Sequence, residues 1–385
     1  MKYRRFGRLN WEASVLGFGA MRLPPKDKDA PIFSPLIDEP EAINMIQYAI
    51  DEGVNYIDTA YTYHGGKSEV LLSKALQDGY RDKVKIATKI PPPLVRNKKD
   101  FDRILNKQLD RLKAEYIDFY LFHGLQKEWW KRVLDLDMFQ WAEDAIDDGR
   151  VKYLGFSFHD NFELFKEIVD AYDNWALSQI QYNFMDVENQ AGTKGLEYAA
   201  SKGLALVVME PLRGGQLTMK PPEFVEKLYD DAQIKRTPAE WALHWLWDHP
   251  EVTVVLSGMS TISQVKENVS SAKTSGPNML TKEELLIVEK VRMQYEKLSP
   301  ILCTNCRYCM PCPNGVEIPR IFRLYNEGFM YEDHRRSRFF YREIPKSNQA
   351  VECTQCHECE EKCPQKLPVS EWLEKAHGWL GPKKK

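Results

Sequence analysis

All eight cysteines stand after residue 302, in two tight runs, and the long stretch before them holds none. The first run is Cys303-x2-Cys306-x2-Cys309-x2-Cys312, followed by Pro313; the second is Cys353-x2-Cys356-x2-Cys359-x3-Cys363, followed by Pro364. The second spacing is that of bacterial iron–sulfur proteins, proline included, and the first is one residue shorter. Three thiolates at every third position can wrap a loop around one face of a cubane, leaving the fourth iron corner to a distant ligand. In two-cluster proteins that ligand comes from the other run. Cys303, Cys306, Cys309 and Cys363 are therefore assigned to one 4Fe-4S cluster, and Cys353, Cys356, Cys359 and Cys312 to a second. Every thiol is then used. Zinc is the competing metal, but it usually takes two well-separated C-x2-C knuckles and needs no third cysteine in one short loop. A disulfide framework would require an oxidising compartment. The opening stretch MKYRRFGRLNWEASVLGFGA has no apolar core followed by a small-residue cleavage site. Exposed clusters and unpaired thiols point to a reducing cytoplasm.

A second set of residues sits at the ends of apolar runs. Asp58 ends the strand expected in one run, Tyr63 follows five residues on, Lys89 ends the strand expected in the next and His123 the one after. Together they permit carbonyl reduction. A hydride arriving at a carbonyl carbon puts negative charge on oxygen, which must be protonated. Tyrosine, with a pKa of about 10, is a poor acid until a nearby ammonium stabilises its phenolate. Buried, Lys89 needs a counter-charge, and Asp58 can supply it. His123 can donate a hydrogen bond to the carbonyl oxygen and position it. Singly, each has an innocent reading: a strand-end turn residue, a surface cation, a satisfied core imidazole. At three successive run ends the joint reading is chemical.

Eight apolar runs must carry these residues: 15–19, 56–60, 84–90, 117–123, 153–158, 177–182, 205–212 and 253–258. Most are apolar on both faces, as strands buried on both sides should be. Amphipathic helical patterns lie between them, among them 41–53, 98–113, 160–172 and 238–250, with Asp160 and Thr237 as expected caps and Pro238 at a first helical position. Eight strand–helix units in the first 300 residues predict an α/β fold, a (β/α)8 TIM barrel. A doubly wound sheet would place a glycine-rich phosphate turn at its first strand, and Gly17-Phe18-Gly19-Ala20 lacks the third glycine. The segment 213–237 is longer than an ordinary barrel connection and reads as a lid. An amphipathic helix at 281–298 leads into the cysteine region, where 318–331 reads as another helix between the two runs. The domains are therefore expected at 1–298, the barrel, and 299–385, a C-terminal α-helical ferredoxin-like domain.

Composition excludes several classes. The formal net charge is −3, which argues against nucleic-acid binding and makes Lys383-Lys384-Lys385 a solvated tail. No apolar run approaches membrane-spanning length.

The motifs D-T-A-Y-T-Y-x3-K-S-E (58–69), I-A-T-K (86–89), Y-L-F-H (120–123), G-R-V-K-Y-L-G-F-S (149–157), Q-I-Q-Y-N (179–183), E-P-L-R-G-G (210–215) and Q-V-K-E-N (264–268) occur in order. Over residues 3–272 the chain resembles the aldo-keto reductases, and its tail resembles the ferredoxin module of a prokaryotic branch of that family. The resemblance implies a catalytic tetrad of Asp58, Tyr63, Lys89 and His123, with Tyr63 as proton donor. It implies reduction of a small aldehyde or ketone by NADPH or NADH. It also implies Ser157 and Gln179 at the nicotinamide carboxamide, and Leu212 and Gly214 along the pyrophosphate. Gly258, Ser260, Gln264, Glu267 and Asn268 would surround the adenosine end.

Three departures stand out. Phe158 replaces the asparagine that often follows the serine. Met209 occupies the place of the aromatic that stacks on nicotinamide, and packs more loosely on a ring. Gly258 and Gln264 stand where NADPH-specific members carry Lys and Arg, so strong NADPH preference is not expected. Arg213 reads either as a phosphate ligand or as a solvated loop cation. Trp129, Trp130 and Phe158 read either as substrate walls or as ordinary packing. Hydride transfer moves two electrons and a cluster ordinarily one, which leaves three hypotheses. The first is a nicotinamide-dependent carbonyl reductase whose clusters exchange electrons with a redox partner such as a ferredoxin. The second seats a flavin (FMN) over the same rim. The third is a non-catalytic redox sensor or electron carrier.

Overall fold

The computed structural model describes residues 1–27, 34–303, 308–363 and 365–382. An antiparallel pair, β1 (Tyr3–Arg5) and β2 (Glu12–Ser14), precedes the barrel; the apolar pattern alone did not reveal it. The barrel strands are β3 (Leu16–Gly19), β4 (Tyr56–Asp58), β5 (Lys85–Ile90), β6 (Ile117–Leu125), β7 (Val151–Phe158), β8 (Leu177–Gln181), β9 (Ala205–Met209) and β10 (Val252–Ser257). They close in sequence order, each parallel to its neighbours, with β10 returning to β3. All eight expected runs are barrel strands, as the two-sided apolar pattern requires.

Gly17 shows why the first run is glycine-rich. A Cβ there would lie 2.7 Å from a Leu256 side-chain carbon and 2.8 Å from one of Val254, so the glycine makes room for inward-facing side chains.

The helices follow the same physics. Glu39–Asp51 is capped by the Asp38 side chain and buries Ala42, Met45, Ile46, Ala49 and Ile50, one stripe at helical spacing. Lys98–Leu112 opens with a capping box of Asn97 and Asp100 and buries Phe101, Ile104, Leu105, Gln108 and Leu112. The helix expected from 160 starts at Phe162, and its cap is Asn161. The Asp160 carboxylate instead accepts from the Lys127 backbone N–H at 3.0 Å, tying it to the preceding connection.

The chain divides into two compact units. One comprises 1–214 and 239–282; the other comprises 215–238 and 283–385. Two segments expected with the barrel, the excursion after β9 and the helix Lys282–Lys297, thus group wholly or mainly with the tail. Within the second unit Arg236 pairs with Glu284, and the Tyr295 and Tyr331 rings pack 5.1 Å apart. The tail is helical, with Ile318–Met330, His334–Arg342, Glu358–Lys362 and Val369–Leu380. Its own core includes Ile321, Phe322, Leu324, Leu373 and Ala376. Among the described residues, no helix is long and apolar enough to cross a membrane.

Candidate active site

Three adjoining strands bring the four chemical residues to one rim. Asp58 is the last residue of β4, and Lys89 lies near the end of β5. His123 lies where the pairing of β6 with β7 shifts register between Phe122 and Leu125, a bulge of the kind that re-aims a side chain. Tyr63 opens the turn Tyr63–Gly66, in which His64, Gly65 and Gly66 all have positive φ.

The geometry is tight. Lys89 Nζ lies 2.5 Å from Asp58 Oδ1, 2.8 Å from the Thr59 carbonyl oxygen and 3.4 Å from the Tyr63 hydroxyl. Lys89 is fully buried and Asp58 3% exposed. The Tyr63 and His123 rings meet edge-on, with centroids 5.8 Å apart.

Burial dominates the electrostatics. It pushes Asp58 up against the pull of Lys89, and Lys89 down against the pull of Asp58, so each charge is retained only because the other is there. Burial also drives His123 down to about 3, helped by Lys89 and His159, which leaves a neutral imidazole. Tyr63 departs from the sequence expectation. Its pKa is raised well above 10 by burial and by the charges of Asp58 and Glu210, with Arg22 opposing. In this site desolvation and two carboxylates outweigh the opposing guanidinium, so the phenol holds its proton.

The next strands carry the expected cofactor positions. Ser157 and Gln179 are register partners on β7 and β8, and Met209 faces Gln181 across β8 and β9. The Ser157 hydroxyl oxygen accepts from the Gly124 N–H at 2.7 Å. Gln179 places Nε2 3.7 Å from the Met209 sulfur, while its buried Oε1 has no hydrogen-bond partner. A buried amide oxygen left without a partner is an open acceptor.

Of the remaining positions, Leu212 and Gly214 are half-buried beyond β9, and Gly258 is exposed after β10. Asn268 is buried and donates to Ser257 Oγ at 2.9 Å. Ser260 and Gln264 spend polar atoms locally: the Ser260 N–H donates to Gln264 Oε1 at 2.8 Å, and its hydroxyl to the Arg22 carbonyl at 2.8 Å. Glu267 lies on the exposed face of the helix Ile262–Lys273, whose cap is Thr261. Arg213 is not a solvated cation; it is buried and pairs with Asp186 at 3.2 Å. Phe158 and Trp130 are core residues: Phe158 packs on Phe165, and the Trp130 indole N–H donates to Glu167 at 2.7 Å. Trp129 is half-buried against the same core.

Sequence reasoning missed Arg22. Its guanidinium lies 3.3 Å from Glu210, and its side chain passes so close to Gly258 that a Cβ there would come within 2.9 Å. Nothing in the spacing marks a loop arginine as facing a glycine 236 positions later; only barrel closure joins the two.

In the tail, seven cysteines are described; Cys306 and Pro364 lie outside the described residues. Cys303, Cys309, Cys312 and Cys353 pack with buried Cys359 on one hydrophobic core, so both runs reach the same surface. The Cys359 thiol is pushed up to about 11 by burial, then by the nearby charges of Glu360, Cys353 and Cys309. Bound metal would reverse that, since its positive charge favours the thiolate. Among the described residues no three His, Cys, Asp or Glu side chains close on a single-ion position. A cluster gripped at its separate corners does not ask for that.

Comparison with known proteins agrees with this architecture. Residues 15–291 match the model of the Aldo/keto reductase family, and residues 302–367 match a 4Fe-4S dicluster domain. The uncharacterized oxidoreductase YrpG of Bacillus subtilis is 25% identical over 315 residues, 71% of this chain and 92% of that protein. The L-galactose dehydrogenase of Arabidopsis thaliana is 26% identical over 314 residues, 76% of this chain and 94% of that protein. Among solved structures, an aldo-keto reductase of Bacillus halodurans in its holo form is similar with a TM-score of 0.62 and 27% identity, covering 76% of this chain and 96% of that one. A Klebsiella pneumoniae aldo-keto reductase in complex with NADPH shares the fold, with a TM-score of 0.58 and 21% identity, over 76% of this chain and 95% of that one. A closed eight-stranded parallel barrel, an Asp–Lys–Tyr–His cluster at its rim and a family match over most of its length make this chain an oxidoreductase of the aldo/keto reductase family, extended by a 4Fe-4S dicluster domain.

Proposed function

We propose that the chain reduces an aldehyde or ketone with NADPH or NADH, using Tyr63 as the proton donor, and that its tail carries two 4Fe-4S clusters for electron exchange. The observation that carries the catalytic reading is the Lys89 ammonium bridging the Asp58 carboxylate at 2.5 Å and the Tyr63 hydroxyl at 3.4 Å, beside a neutral His123.

The residues present fit a nicotinamide nucleotide. The unpaired Gln179 Oε1 offers an acceptor to a carboxamide N–H, and the Ser157 hydroxyl has its own proton left to donate. Leu212 and Gly214 would follow the pyrophosphate. Gly258, Ser260, Gln264, Glu267 and Asn268 would flank the adenosine end, with Arg22 adding one guanidinium near Gly258. Met209 would pack on the ring. When bound, the nucleotide supplies the hydride.

The protein's own work is polar. His123 donates one N–H to the carbonyl oxygen and fixes its direction; being neutral, it does so without a competing charge. The Tyr63 hydroxyl gives its proton to that oxygen as negative charge develops. A raised phenol pKa does not prevent this, because an alkoxide is the stronger base. The phenolate left behind faces Lys89, and their attraction is strongest in the charge-separated transition state. Asp58 keeps Lys89 charged for that moment.

For the tail, the proposed ligand sets are Cys303, Cys306, Cys309 and Cys363 for one cluster, and Cys353, Cys356, Cys359 and Cys312 for the other. Convergence of both runs on one core supports the exchange of the fourth ligand. The clusters would trade single electrons with a redox partner such as a ferredoxin, and thiolate-held clusters suit a reducing cytoplasm.

Purification without air, followed by iron, sulfide, flavin and nucleotide analysis and a carbonyl screen with both nicotinamides, tests the reading. Tyr63→Phe should abolish carbonyl reduction and leave nucleotide affinity intact, because the hydroxyl acts in the transition state. Full turnover by that variant removes Tyr63 from the acid role, and a stoichiometric flavin would transfer the reading to FMN.

A further inference from the structure

Behind the rim, on the side of the barrel wall away from the proposed chemistry, lies a charged knot that the mechanism does not use. Glu69, Thr88, Gln108 and Tyr120 are all fully buried. The Glu69 carboxylate accepts from Thr88 Oγ1 at 2.7 Å, Gln108 Nε2 at 2.7 Å and Arg111 at 2.9 Å. The Tyr120 hydroxyl donates to Gln108 Oε1 at 2.7 Å.

Two arms run from this knot to the reactive groups. Gln108 Nε2 donates to the Lys89 carbonyl oxygen at 3.2 Å, fixing the strand that carries the ammonium. Arg111 donates to the Tyr61 carbonyl oxygen at 3.0 Å and lies against Gly66, where a Cβ would come within 2.5 Å of the guanidinium. Tyr61 and Gly66 bracket Tyr63. Gly66 also has φ +89, so the turn is shaped to let Arg111 pass beneath it.

Fold stability does not explain such an arrangement. Burying a carboxylate and a guanidinium costs desolvation, and apolar residues of equal volume often serve stability as well or better. Gln108 even interrupts the apolar stripe of its helix, whose other buried members are Phe101, Ile104, Leu105 and Leu112. What directional hydrogen bonds add, and apolar packing cannot, is a defined spacing between a turn and a strand.

We infer that Glu69 and Arg111 are positioning residues that set the 3.4 Å spacing between the Lys89 ammonium and the Tyr63 hydroxyl. The inference rests on the roles proposed for Tyr63 and Lys89.

The test uses the full chain, purified without air, with Arg111→Met, Arg111→Lys and the double variant Glu69→Gln/Arg111→Met. With 4-nitrobenzaldehyde as the probe, kcat of Arg111→Met should fall by about 100-fold, the loss associated with misplacing a reacting group by an ångström. Its KM and its directly measured NADPH and NADH affinities should stay unchanged. Hydrogen exchange of the peptide spanning 59–66 should accelerate while that of the β7 and β8 peptides does not. The double variant should lose no more than Arg111→Met alone, because the two residues act as a unit. A folded Arg111→Met protein with wild-type kcat, or with unchanged exchange at 59–66, overturns the inference. If Arg111→Met does not fold, Arg111→Lys keeps the charge but loses the planar fork and is read by the same measurements. Should Tyr63→Phe retain turnover, the tetrad reading fails by itself, and hydrogen exchange alone then decides whether Arg111 holds the turn.

Discussion

Lys89 and Asp58 form an ion pair 2.5 Å long with essentially no solvent contact, and only one of the two carboxylate oxygens has a hydrogen-bond partner. Each charge would be untenable without the other. Asp58→Asn should therefore do more than slow catalysis. It leaves a buried ammonium uncompensated, a change that costs about 4 kcal/mol. The thermal midpoint should drop sharply, and Asp58→Asn/Lys89→Met should recover much of the loss while remaining inactive. A double variant no more stable than the single one would show that the pair is not the source.

Gln179 should trade stability against binding. Its orphaned Oε1 carries an uncompensated desolvation penalty of about 1–3 kcal/mol. Gln179→Leu, close in shape, should raise the thermal midpoint of the nucleotide-free protein and weaken nicotinamide nucleotide binding by calorimetry. Unaltered affinity would remove Gln179 from the cofactor site.

The pH dependence follows from His123. In the folded chain its pKa is about 3, against 6.5 for an ordinary imidazole. Between those values the unfolded chain binds a proton that the folded chain refuses, so stability from this group is complete above 6.5 and declines as pH falls. His123→Asn should therefore reduce the difference in thermal midpoint between pH 7.5 and pH 5.5. With His123 neutral and Tyr63 protonated well past 10, kcat should also be flat across the neutral range. A His123-dependent titration of kcat near 6.5 would contradict the burial argument.

The ligand exchange proposed for the tail has its own signature. Cys312→Ala should damage the cluster held by Cys353, Cys356 and Cys359 and spare that of its own loop. Iron content should fall toward about half, since the spacing implies two equal clusters. Cluster spectra of the variant, compared with those of Cys363→Ala, tell the two ligand sets apart.

Much of this was legible along the chain, because local rules govern it. Strands buried on both faces read as continuous apolar runs, so all eight staves and the three strand-borne rim residues could be located from the sequence. The cysteine spacing follows from the size of what the loops enclose. The resemblance to a family added the positions expected to meet a nucleotide, which no periodicity reveals.

Tertiary structure decided what depends on which surfaces meet. Arg22 reaches Gly258 only because β3 and β10 close the barrel, and Arg213 is paired rather than solvated because Asp186 faces it. The upward shift of Tyr63 comes from desolvation, a property of enclosure that residue types alone do not carry. Gln108 left a trace, a polar residue on an apolar stripe, but its partners Glu69, Thr88 and Tyr120 come from three other elements. Composition and spacing specify which groups are supplied and on which local elements. Distance, burial and charge balance, which set what those groups can do, arise only when elements far apart in sequence are brought into contact.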